Sequence, residues 1–199
     1  NQAYAEAIAL EQKLRRDDQV ALYLNNLAMN DYFLGDKAKA TTDLEALIVV
    51  DRRLGKLADL AQSLNNLGAL YKEARQYDKA KLAFEESIAI AEQLHDVANV
   101  LSTKGSLADT YKNLGQHDKA IALFLASLPD VRKLSPKPDL ILHLGGLGQS
   151  HFLKGDLPNA LTIQSEALAL ERQHGKPAMV AQRLIDRSLV HEAAGSGDK

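Results

Sequence analysis

Six histidines are the first candidates for chemistry, as metal ligands. His143, His151 and His191 fall in the last part of the chain, but no two histidines show the i, i+4 pairing of a helical zinc site. They are expected to be core or surface residues, with no metal bound. The chain has no cysteine, which excludes thiolate ligands, cysteine nucleophiles and disulfides. Ser, His and Asp occur without a spacing or pocket that would single out a triad. Gly145-Gly146-Leu147-Gly148 has the composition of a phosphate cradle, yet it lies inside a helical pattern rather than after a strand. No cofactor is expected, and an enzyme is the least expected class. Polar binding chemistry remains. Asn25-Asn26 and Asn65-Asn66 carry neutral amides that both donate and accept, which suits the alternating amides and carbonyls of an extended backbone.

Charge and length narrow the partner. Among 199 residues, 26 acids against 24 bases leave a net charge of −2, so nothing favours a phosphate backbone or an anionic bilayer. Nucleic acid is not expected as a partner. The longest predominantly apolar stretch, Ala120 to Leu128, falls far short of the roughly 20 residues that cross a hydrocarbon core. No membrane insertion is expected, and the absence of a basic, then apolar, leader makes a cytoplasmic location the expectation. A first residue of Asn1 suggests an excerpt from a longer chain.

The elements that position the amides come from an internal period. Leu24-Asn25-Asn26-Leu27-Ala28 aligns with Leu64-Asn65-Asn66-Leu67-Gly68 at an offset of forty. The same offset stacks Leu27, Leu67, Leu107 and Leu147, then Ala28, Gly68, Ala108 and Gly148, then Ala40, Ala80, Ala120 and Ala160. Leu44, Phe84, Phe124 and Gln164 form another column, and Asp31, Tyr71, Tyr111, His151 and His191 another. Columns separated by three, four and seven residues share one helix face. Breakers at Gly35-Asp36, Gln76-Tyr77-Asp78, Gly115-Gln116-His117-Asp118 and Gly155-Asp156 separate two helices per unit, with Asp able to cap the second. The pattern predicts ten helices, at 2–14, 18–34, 37–53, 58–74, 78–94, 98–114, 118–133, 138–154, 158–173 and 178–193. Four units (18–57, 58–97, 98–137, 138–177) are flanked by half-units at 1–17 and 178–194, with 195–199 as a frayed tail, in a single array. The fold class is all-α.

These columns resemble the tetratricopeptide repeat, and the forty-residue unit is most similar to the subclass found in kinesin light chains, LGN-type adaptors and bacterial signalling arrays. The resemblance implies a right-handed α-solenoid of antiparallel helix pairs. Lys104 in place of a large apolar residue, and Asp31, His151 and Gln164 at aromatic columns, depart from the family pattern, and looser packing is expected in the fourth unit.

On each first helix, the face opposite the apolar columns forms a stripe. It reads Leu22, Asn25, Asn26, Met29, Tyr32, Phe33; then Gln62, Asn65, Asn66, Ala69, Lys72, Glu73; then Ser102, Gly105, Ser106, Asp109, Lys112, Asn113; then Leu142, Gly145, Gly146, Gln149, Phe152, Leu153. The resemblance implies that this stripe lines a concave groove. Four first helices about 8–10 Å apart would give roughly 30–40 Å, room for about nine to twelve extended residues. The Asn pairs either contact a ligand or form a structural ladder. Glycines on this face either admit a ligand close to the backbone or permit tight helix packing, since Gly inside a helix costs about 0.5–1 kcal/mol. Lys72 and Lys112 share a column, but the remaining cations of the family's chaperone clamp are absent, so a ligand ending in Glu-Glu-Val-Asp is not expected.

The leading expectation is therefore a non-enzymatic scaffold or adaptor binding an extended peptide or partner helix. A ligand-sensing regulatory segment of a bacterial signalling or transcription-control protein is the alternative. Self-assembly into a homo-oligomer through exposed array ends is a third.

Overall fold

The structure, a computed structural model, describes residues 2–14, 16–134, 137–174 and 177–196. Among these it contains ten helices and no strand: α1 (Gln2–Lys13), α2 (Asp17–Phe33), α3 (Lys37–Leu54), α4 (Leu57–Glu73), α5 (Tyr77–Gln93), α6 (Val97–Asn113), α7 (His117–Leu134), α8 (Lys137–Lys154), α9 (Leu157–His174) and α10 (Pro177–Ser196). The fold is all-α, of the helical-solenoid class. Nine helices lie within one residue of the predicted ends, because the breakers impose those ends physically. Gly35 has φ 82°, and Arg75, at the equivalent turn, takes φ 59° to make the same reversal. Asp36 accepts a hydrogen bond from the Lys39 amide at 3.2 Å and so caps α3. At the last helix the expectation falls short, since α10 takes in Gly195 and Ser196, while 197–199 of the expected tail lie outside the described residues. The connections expected between 133 and 138 and between 173 and 178 include 135–136 and 175–176, which also lie outside them.

The chain forms two compact units, Asn1–Thr103 and Lys104–Lys199. In the first, α2, α3 and α4 pack in sequence around Val20, Leu24, Leu44, Leu47, Leu60 and Leu64. In the second, Ala108, Ile121, Phe124 and Leu147 form one cluster. Every periodic Ala (Ala40, Ala80, Ala120, Ala160) is 0% exposed, so this column lies wholly in the interior. The departures are accommodated individually. Asp31 is buried, and burial together with its negative charge holds the neighbouring Asp43 carboxyl above the ordinary carboxylate range. His151 Nδ1 lies 2.9 Å from Asp156 Oδ2. Gln164 fills the Phe column fully buried, its Oε1 without a hydrogen-bond partner among the described residues.

Candidate functional site

In the first unit, the stripe opens on two cavities. One, of about 350 Å³, is bounded by α2, α3 and α4 and by the turn carrying Lys56; the stripe residues Leu22, Asn25 and Gln62 stand in its lining. Its other walls include Asp51 and Ser63, with Asp18, Lys56 and Asp59 supplying further charge. Asp51 is only 1% exposed, and its Oδ2 accepts a hydrogen bond from the Ser63 hydroxyl at 3.1 Å. Burial raises the Asp51 carboxyl above the ordinary range, more than the Ser63 hydrogen bond lowers it. Lys56 Nζ sits 2.6 Å from Asp18. The second cavity, about 210 Å³, is lined by Met29, Tyr32, Asn66, Ala69 and Glu73 of the stripe together with Ala28 and Ala40.

The amides of this unit stand at the surface. Asn25 is exposed and Asn26, Asn65 and Asn66 are half-buried. Gln62 Nε2 donates to Asn66 Oδ1 at 3.0 Å, one turn apart on α4; no side-chain hydrogen bond joins the Asn pairs of α2 and α4 among the described residues. Tyr32 and Phe33 stack edge-on at 5.9 Å at the far end of α2. Lys72 is half-buried and Ser102 exposed.

In the second unit, the charges on the stripe satisfy one another. Lys112 Nζ lies 2.8 Å from both Asp109 Oδ1 and Gln149 Oε1, joining α6 to α8. Ser106 is half-buried, Leu142 is exposed and Phe152 half-buried. The glycines are covered by this chain's own side chains. A Cβ on Gly105 would lie 3.2 Å from the His143 ring, one on Gly145 would lie 2.6 Å from Arg183 Nη1, and one on Gly146 would lie 2.5 Å from Phe124 Cζ. Space above these backbones therefore serves packing between helices.

A size exchange links two columns. The residues at 25, 65, 105 and 145 are Asn, Asn, Gly and Gly, and those 38 places later, at 63, 103, 143 and 183, are Ser, Thr, His and Arg. Glycine stands where the later residue is large. That pairing was present in the sequence as two columns, but only the packing shows which columns face each other. Sequence reasoning about the stripe also missed Asp18, Asp51, Lys56 and Asp59. The available signal, for Asp51 alone, was a column that alternates between acid and apolar residues: Glu11, Asp51, Ala91, Val131 and Glu171.

His143 is buried with Nε2 2.7 Å from the Ser127 hydroxyl and its ring edge-to-face on Phe124 at 5.0 Å. Burial lowers its pKa below 6.5, against the smaller opposing pull of Asp109 and Asp139. Because the unfolded chain then binds the proton more readily than the folded one, stability is full above about pH 6.5 and declines as pH falls toward the depressed value. Thermal melting of the chain should move to lower temperature between pH 7.5 and 5, and His143→Phe should flatten part of that slope. Ser127 stays satisfied in the variant by the Leu123 carbonyl at 2.9 Å. An identical slope in wild type and variant would refute the assignment.

Among the described residues, no helix is long and apolar enough to cross a membrane and no group of three or more His, Asp or Glu is placed to hold a metal ion. Among curated proteins, none matches this chain by sequence. Solved structures do match its fold. BtubC (BKLC) from P. vanneervenii aligns with a TM-score of 0.79 at 21% identity, over 97% of this chain and 82% of that one. A Podosopora anserina kinesin light chain with nearly identical TPR-like repeats aligns with a TM-score of 0.73 at 18% identity, over 85% and 84%. RapI in its apo form aligns with a TM-score of 0.80 at 11% identity, covering 98% of this chain but 55% of RapI, so this chain spans about half the length of that protein. The family comparison matches residues 21–93 and 96–173 to the tetratricopeptide repeat. With the period of forty and the buried Ala, Leu and Gly/Ala columns, that match places the chain in the tetratricopeptide repeat family.

Proposed function

We propose that this chain is a non-enzymatic interaction scaffold that holds an extended peptide segment against the stripe of first helices. The observation that carries the reading is the placement of the stripe residues on two cavities of the first unit, where Asn25 and Gln62 stand on one and Asn66, Met29 and Tyr32 on the other. Exposed amides there can meet peptide backbone, while the cavities take side chains projecting from alternate positions of an extended strand. Leu22, Met29 and Tyr32, each 40–50% exposed, supply apolar contact area. In the second unit, Leu142 and Phe152 offer a similar apolar surface, and the Asp109–Lys112–Gln149 cluster presents little net charge. A peptide near Gly145 would meet the Arg183 guanidinium rather than bare backbone.

The test is a titration of a peptide selected from a random library against wild type and Asn65→Ala/Asn66→Ala. Losing two amide partners should weaken binding by about tenfold or more. Unchanged affinity in a folded variant would remove these amides from the mechanism.

A further inference from the structure

The column Glu11, Asp51, Ala91, Val131 and Glu171 places a fully buried acid at one junction between repeats in each compact unit. In the second unit it is Glu171 of α9, 1% exposed, which receives a bidentate pair from Arg183 of α10: Nε to Oε2 at 3.1 Å and Nη2 to Oε1 at 3.0 Å. The guanidinium lies over Gly145 of α8. In the first unit, forty-residue arithmetic carried three times places Asp51 at the position of Glu171, Ser63 at that of Arg183 and Asn25 at that of Gly145. Asp51, Ser63 and Asn25 all line the 350 Å³ cavity. The same buried acid is therefore present in both units, but in the first a hydroxyl replaces the guanidinium and a cavity lies where the long side chain would run. Asp51 Oδ2 accepts from Ser63, and its other oxygen accepts no hydrogen bond among the described residues. Three carboxylates (Asp18, Asp51, Asp59) and one ammonium (Lys56, paired with Asp18) line the walls, so the lining favours a cation.

We propose that the cavity between α2, α3 and α4 receives an arginine side chain of a bound peptide, whose guanidinium pairs with Asp51 as Arg183 pairs with Glu171. A planar fork suits a carboxylate already fixed by Ser63, and such charge-assisted pairs are strongest when desolvated. The inference rests on the reading that a peptide lies along the stripe, since Leu22, Asn25 and Gln62 at the cavity belong to it.

The probe is N-acetyl-argininamide, with its uncharged citrulline counterpart as control, titrated into the isotope-labelled full chain and followed by the Asp51 carboxyl and Ser63 amide resonances. Argininamide should bind about tenfold or more tightly than the citrulline compound, and Asp51→Asn should remove that preference while still accepting from Ser63. A second variant, Asn25→Gly/Ser63→Arg, rebuilds the arrangement of the second unit and should exclude the probe. Equal binding of the two compounds, or wild-type affinity in either variant, would overturn the proposal. The probe has no backbone to lay along the stripe, so the two readings fail separately. A chain that binds selected peptides but not argininamide loses this inference alone. One that binds argininamide but no peptide keeps the guanidinium site at Asp51 and loses the scaffold reading, and with it a peptide as the source of the arginine.

Discussion

Replacing Arg183 by Met should cost the second unit about 3–5 kcal/mol, because it leaves Glu171 as an uncompensated charge in the interior. Glu171 is 1% exposed and Arg183 satisfies both of its oxygens, so truncating the arginine removes every strong partner at once. Desolvation then acts on the carboxylate without the Coulombic attraction that offset it. The double variant Glu171→Val/Arg183→Met should recover most of the loss, since Val131 already occupies the same column in the preceding unit. Such recovery would show that the pair itself adds little net stability and that its worth lies in mutual satisfaction. Because α10 packs on α9, the single variant should first release α10. Hydrogen exchange of the α10 amides measures that opening directly. Protection unchanged in Arg183→Met would contradict the argument.

Phe84→Ala should cost the first unit about 3–5 kcal/mol, as Phe84 is 0% exposed and fills a core position. The more discriminating measurement couples it to Gly68. A Cβ on Gly68 would lie 2.6 Å from Phe84 Cε1 and 2.7 Å from Cδ1, inside any tolerable contact. Gly68→Ala alone should therefore be destabilising: overpacking costs about 1–3 kcal/mol, and the helix propensity gain returns at most about 1. On the Phe84→Ala background the sign should reverse. There the added methyl meets no ring, fills part of the cavity and keeps its propensity gain, so it should stabilise by up to about 1 kcal/mol. Denaturant unfolding of the four proteins in the cycle gives the coupling. Additive effects would mean that Gly68 is tolerated for some reason other than the ring.

Much of this fold is legible in the sequence because its signals are local. A helix needs a face, a start and a stop. The Leu and Ala columns supply the face, while Asp36 and the positive-φ turns at Gly35 and Arg75 supply the limits. The stripe follows from the same periodicity, as what is left once the apolar face is assigned. What the stripe does not disclose is depth. The cavity at Asn25 is walled by Asp51 from the second helix of its unit and by Lys56 from the following turn, residues that no single helix wheel brings together. The glycines of the stripe were legible as an anomaly but not as a cause. Gly105 needs His143, and Gly145 needs Arg183, each from a helix one unit away.

That last dependence bears on how such a chain can be recombined. Helix turns look like natural cutting points, and a forty-residue cassette looks transferable. Yet the residue at 145 is matched to one 38 positions downstream, past the end of its own unit, and Glu171 is matched to Arg183 across the same seam. A cassette of 138–177 grafted before a helix with Ser at the Arg183 position would carry an orphaned acid and a glycine facing nothing. The heritable module is therefore one unit plus the helix that follows it, and crossovers should survive within α10-type helices beyond the Arg183 position far more often than at the turns.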